Sequence, residues 1–196
     1  VGGVSNKLKD TIFPFKYNDL ERLKILIQHN DVGTIIMEVK RNIDPENSFL
    51  EKVRKLCNQK NIVLVFDECS SGFRQNYGGL HQDYNVIPDI VMYGKAIGNG
   101  FAIAAIVGKK AVMECANNIF ISSSFWGERV GFVAALKTLE IMKKTKSYNL
   151  IKKNGKYIIS QLKRIAKENN VGIDIIGIPS IPTFVFKNLK NNLFYK

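Results

Sequence analysis

Residues 61–108 read NIVLVFDECSSGFRQNYGGLHQDYNVIPDIVMYGKAIGNGFAIAAIVG, and three apolar runs inside this stretch decide the fold class. Residues 61–66 are almost continuously apolar, the pattern of a strand buried on both faces. Residues 89–93 (DIVMY) and 102–107 read as two further strands. Upstream, the β-branched run 32–39 (VGTIIMEV) reads as a strand between two amphipathic helices, 18–29 and 47–59. The first helix places Leu20, Leu23 and Ile27 on one face and Asp19 at its positive end. Strand alternating with helix predicts an α/β architecture with a mostly parallel sheet. In such sheets ligands bind beyond the carboxyl ends of the strands.

Two of those ends carry reactive side chains. Asp67 directly follows the buried run 61–66, and Lys95 follows 89–93 after the single residue Gly94, with a glycine-rich turn behind it. Parallel strands would bring both to one rim. Each residue also has a plainer role available, Asp67 as a helix N-cap or a solvated strand-end acid and Lys95 as an exposed or anion-binding lysine. A phosphate-loop reading of Gly94-Lys95 fails, because it needs Gly at 89 and Ser or Thr at 96 where the chain has Asp89 and Ala96. A dinucleotide fingerprint at Gly98-Asn99-Gly100 fails too, with Ile103 at the third glycine position. One lysine and one aspartate on a shared rim suit pyridoxal phosphate (PLP). Its aldehyde needs an amine, and its ring nitrogen needs an acid to keep it protonated.

The stretch 65–110, VFDECSSGFRQNYGGLHQDYNVIPDIVMYGKAIGNGFAIAAIVGKK, resembles the core signature of the class III aminotransferases, which are fold-type I PLP enzymes. The similarity is strongest to the glutamate-1-semialdehyde aminomutase-like branch. It runs from Tyr17 to Met142 through YNDLERL, IIMEVKRNIDP and SSSFWGERVGFVAALKTLEIM. The resemblance implies a three-layer, mostly parallel large domain followed by a small α+β C-terminal domain. Lys95 then matches the Schiff-base lysine that also shuttles a proton, and Asp67 the acid paired with the pyridine nitrogen. Cys69 falls where the family packs an apolar residue on the ring, and Glu38 matches a glutamate of the loop after its strand. Asn42 is the loop's polar contact to the cofactor hydroxyl. Ser124 falls where a threonine reaches the phosphate of the neighbouring subunit, with Ser122 and Ser123 competing for the register. Val39 departs from the usual proline, and Gly127 stands where a polar residue is common. The implied function is transamination or a 2,1-amino shift on small-molecule donors and acceptors, by a homodimer.

The 196 residues carry a formal charge of +12. Ten basic residues between Lys137 and Lys167 stand against one acid, Glu140, so +9 of the excess lies there. Two long helices are predicted across it, 127–145 and 148–169, with Ile141, Leu150, Ile151, Ile158, Leu162 and Ile165 turned inward. The lysines then form a solvated surface, with neither aromatic interleaving nor a nucleic-acid motif, so no nucleic acid partner is expected. Two readings remain beside the enzyme: a non-catalytic homologue or scaffold, and a basic nucleic-acid-binding module. Three widely spaced cysteines and no membrane-length apolar run point to the cytoplasm, away from membranes. Two histidines make a metal site improbable. Five glycines (Gly72, Gly78, Gly79, Gly98, Gly100) mark turns needing positive φ or close backbone approach. Trp126 and Phe125 read as interface or core residues. The expected domains are 1–146, a partial large PLP-binding domain, and 147–196, the start of a truncated small C-terminal domain. The chain is expected to be a piece of a longer protein, inactive or poorly folded alone.

Overall fold

The computed structural model of the chain describes residues 6–8 and 10–187; the remainder of the expected second domain, 188–196, lies outside the described residues. Helix α1 (Leu20–His29) starts where Asp19 accepts a hydrogen bond from the Arg22 amide at 2.9 Å. Strand β1 (Thr34–Glu38) follows, then α2 (Phe49–Lys60) and β2 (Val63–Glu68). Strands β3 (Ile90–Tyr93) and β4 (Ala105–Gly108) complete a sheet of order β1-β2-β3-β4. The first three strands are parallel and β4 is antiparallel to β3, so the sheet is mostly parallel, as the alternating pattern predicts.

Alternation along the strands sorts the two faces. Ile35 and Met37 of β1, with Leu64 and Phe66 of β2, turn toward α1 and α2 and join Leu23, Phe49, Leu50 and Val53 in one buried cluster. Each such buried side chain contributes roughly 1.5–3 kcal/mol. A second cluster, Phe73, Val91, Tyr93, Ile97, Ala135 and Met142, continues this face under α4 (Arg129–Thr145). The opposite face carries Ile36 and Ile106, both more than half exposed.

A four-residue helix, α3 (Lys110–Met113), follows β4. Lys146, with a φ of +50°, separates α4 from α5 (Ser147–Glu168). Strands β5 (Ile173–Ile178) and β6 (Ile181–Phe186) then form an antiparallel hairpin. The hairpin is anchored twice. Ile178, 1% exposed, enters the cluster beside β1 and α2, and Gly155 of α5 lies so close that a Cβ there would come 1.8 Å from the Pro179 carbonyl oxygen.

One expectation is corrected. Ile141, Leu150, Ile151, Ile158 and Ile165 do not turn into a core; each is more than a third exposed. The buried positions on α5 are the small ones, Gly155 and Ala166. Periodicity identifies an apolar stripe but not its cover, and the described residues supply only α4 and the hairpin beside α5. Among the described residues, no helix is long and apolar enough to cross a membrane.

Candidate active site

The register of the sheet builds the site. Asp67 pairs with Glu38 across β1–β2 and with Met92 across β2–β3, while Glu68 pairs with Tyr93. Lys95 follows two residues after Tyr93, so the aspartate and the lysine reach the same carboxyl rim. Lys95 opens a single 3-10 turn, Lys95–Ile97, with a φ of +42°. That left-handed backbone costs a side-chain-bearing residue about 1–2 kcal/mol, and strain of this kind concentrates where a side chain must be aimed. The residue is exposed, and its amine donates to Ser70 Oγ at 2.7 Å.

Asp67 lies inside β2 and caps no helix. Its Oδ1 accepts the Cys69 amide at 3.0 Å, closing the turn off β2. The Cys69 thiol also hydrogen-bonds to this carboxylate. Burial pushes the Cys69 thiol above its ordinary range, and a hydrogen bond to Asp67 and that carboxylate's charge push the same way, with Lys95 opposing. Asp67, Cys69 and Lys95 thus share one electrostatic neighbourhood, in which the thiol stays protonated.

The other candidates fall elsewhere. Asn42 is exposed beyond β1, in a shallow 200 Å³ depression with Tyr17, Glu38 and Arg41. Glu38 itself pairs with Arg41 at 3.2 Å, and the Tyr17 hydroxyl donates to the Val39 carbonyl. Ser124 is exposed in the turn before α4, touching neither Asp67 nor Lys95 within the chain. Beside it, Phe125 and Trp126 are 54% and 63% exposed and belong to no buried cluster.

Two residues that organise the rim, Glu68 and Ser70, carry no signal of that role in the motifs above. Glu68 is fully buried and accepts from Ser71 Oγ, the Leu80 and His81 amides, and His81 Nδ1. Ser70 holds Lys95, and its carbonyl accepts Arg74 Nε at 2.7 Å. The available signal was alternation: if Asp67 faces the open side of β2, Glu68 must face the core, where a carboxylate needs donors. Two glycines fit the loop between. Gly78 has a φ of +141°, and a Cβ on Gly72 would lie 2.6 Å from the Tyr93 ring. Among the described residues no cluster could hold a metal ion.

A lysine and an aspartate at adjoining carboxyl ends of a mostly parallel sheet define an α/β domain of fold type I. The chain belongs to the class-III aminotransferase family, which it matches over residues 8–189. It is 36% identical to the 3-aminobutyryl-CoA aminotransferase of Cloacimonas acidaminovorans, over the whole chain and 49% of that protein. It is 33% identical to the glutamate-1-semialdehyde 2,1-aminomutase of Wigglesworthia glossinidia brevipalpis, over 97% of the chain and 46% of that protein. The chain therefore spans about half the length of these relatives. In three dimensions it resembles the FumI protein of Sphingopyxis sp. MTA144, solved in a PLP form, with a TM-score of 0.89 at 23% identity over 95% of the chain and 47% of that structure. An ornithine aminotransferase from Plasmodium yoelii gives 0.77 at 25% identity, over 88% and 48%.

Proposed function

We propose that this chain is the catalytic part of a PLP-dependent enzyme that moves an amino group between small molecules, as a transaminase or an aminomutase. The observation that carries the reading is the placement of Asp67 and Lys95 on one rim, with the lysine residue exposed and its amine held only by the Ser70 hydroxyl. Those residues fit the cofactor's two demands, an amine for its aldehyde and a carboxylate for its ring nitrogen. When bound, PLP supplies an electron-withdrawing ring that makes the substrate's Cα–H bond acidic. Lys95 Nζ would take that proton and return it at the neighbouring carbon, while Asp67 holds a positive charge on the ring. Cys69, a neutral thiol beside both, would pack against the ring. Asn42 would offer its amide to the cofactor hydroxyl.

The acting unit is a homodimer in this reading, with Ser124 of each copy reaching its partner's site. An exposed hydroxyl flanked by exposed Phe125 and Trp126 supports it. The Lys146 break between α4 and α5 supports dividing a cofactor domain, 1–146, from a second unit. Free Cys57, Cys69 and Cys115 are consistent with a reducing cytoplasm.

The test is to incubate the full-length protein with PLP, reduce with borohydride and map the adduct by mass spectrometry. Labelling of Lys95, lost in Lys95→Ala, is expected. An unlabelled Lys95 would leave the non-catalytic scaffold standing instead.

A further inference from the structure

Ser70 holds two cations at once. Its Oγ accepts from Lys95 Nζ and its carbonyl from Arg74 Nε, each at 2.7 Å. Neither cation pairs with a carboxylate among the described residues, whereas Arg54 and Lys109 both pair with Asp89. Both line one cleft of 570 Å³, with Asn99, Phe101, Met142 and Ile151. Arg74 spends only its Nε on the protein, which leaves both terminal guanidinium nitrogens as a fork. Two like charges fixed by one serine, in a cleft part-walled by apolar side chains, repel each other until an anion enters.

From this juxtaposition we propose that Arg74 is a specificity-determining residue, whose guanidinium fork binds a carboxylate of the substrate in the cleft shared with Lys95. The inference rests on the reading of Lys95 as the cofactor lysine and adds the substrate class, a carboxylated amine or carbonyl compound. The planar fork matches a carboxylate with two parallel hydrogen bonds, which a lysine at the same place could not reproduce. Binding there would also orient the substrate relative to the amine that handles its proton.

The experiment uses the full-length protein as wild type, Arg74→Gln and Arg74→Lys. Succinate, and separately inorganic phosphate, are titrated by calorimetry into the PLP-free form. Succinate should bind about tenfold or more weakly in Arg74→Gln, the scale of one lost charge-assisted pair, and to an intermediate degree in Arg74→Lys. In the loaded enzyme, KM for a carboxylated donor should rise about tenfold with kcat within about twofold, and KM for an uncharged amine should not move. If Arg74 only tethers Ser70, both donors suffer equally and the proposal falls. Tighter Arg74-dependent binding of phosphate than of succinate also overturns it, since the fork would then serve a phosphate. Borohydride labelling of wild-type Lys95 separates the two levels. A labelled Lys95 with unchanged succinate binding in Arg74→Gln sinks this inference alone, whereas an unlabelled Lys95 sinks the parent reading.

Discussion

Glu68 Oε1 lies 2.7 Å from His81 Nδ1, and the Glu68 carboxylate is wholly excluded from water. Thirteen residues apart in sequence, the two close the loop that carries Cys69, Ser70 and Arg74. With two backbone amides and Ser71 also donating, every direction around the carboxylate is used. Glu68→Ala removes the acceptor common to four donors and should destabilise the full-length protein by roughly 3–5 kcal/mol, read as a lower urea midpoint. Glu68→Gln, isosteric but unable to accept at both ends, should lose less. Because Ser70 loosens with the loop, borohydride labelling of Lys95 should also slow in Glu68→Gln. An unchanged midpoint in Glu68→Ala would refute the clamp.

Asp89 joins β3 to the rest of the domain. It accepts the Leu64 amide at 2.8 Å and pairs with Arg54 and Lys109, each at 2.7 Å. Burial alone would raise its carboxyl, but the Leu64 amide, Lys109 and Arg54 together outweigh it and hold it below its ordinary value. A folded-state value below the unfolded one adds stability that is complete above about pH 4–5, the unfolded carboxylate range, and fades as pH falls through the folded value. Asp89→Asn should therefore cost roughly 2–3 kcal/mol at pH 7, with the gap to wild type shrinking below pH 4. Denaturant unfolding across pH 2.5–7 measures it; a gap that stays constant to pH 2.5 would show that the charge contributes nothing.

Gly155 sits mid-helix, where Ala usually gains about 1 kcal/mol. Here the added methyl would meet the Pro179 carbonyl at 1.8 Å. Gly155→Ala should instead destabilise by roughly 1–3 kcal/mol, since the hairpin must lift from α5. A variant as stable as wild type would mean that the hairpin does not pack there.

Phe120, Phe125 and Trp126, all within four residues of Ser124 in sequence, are 94%, 54% and 63% exposed. Exposed apolar side chains of this size fit the dimer contact proposed for the full-length protein. Phe120→Ser combined with Trp126→Ser should shift the full-length protein toward monomer in light scattering at micromolar concentration. Retention of the wild-type mass would exclude this surface from the dimer contact.

Much of the fold was legible in residues 61–108, because a strand buried on both faces must be apolar throughout and the turns between carry Gly, Asn and Pro. The two rim residues were legible for the same reason: a charged residue one or two positions after a buried run stands at a strand end. Less was legible near β4. Its run 102–107 has the same composition as its neighbours, and only the chain path back along β3 makes Ala105–Gly108 antiparallel. The stripe on α5 misled, because 3.6-residue periodicity records which side is apolar and not what lies opposite. Ser124 and Asn42 rest on resemblance, and neither lines the cleft that holds Lys95.

The opening stretch by itself determined that a buried, mostly parallel sheet presents Asp67 and Lys95 at its strand ends, since period and position are local properties of the chain. Only the tertiary structure decided that Glu68 meets His81, that Ser70 carries both Lys95 and Arg74, and that Ile178 enters the core beside β1. Those contacts join segments from 4 to more than a hundred residues apart. They depend on the register of neighbouring strands and the path of the loops, which folding sets cooperatively and no short window of sequence contains.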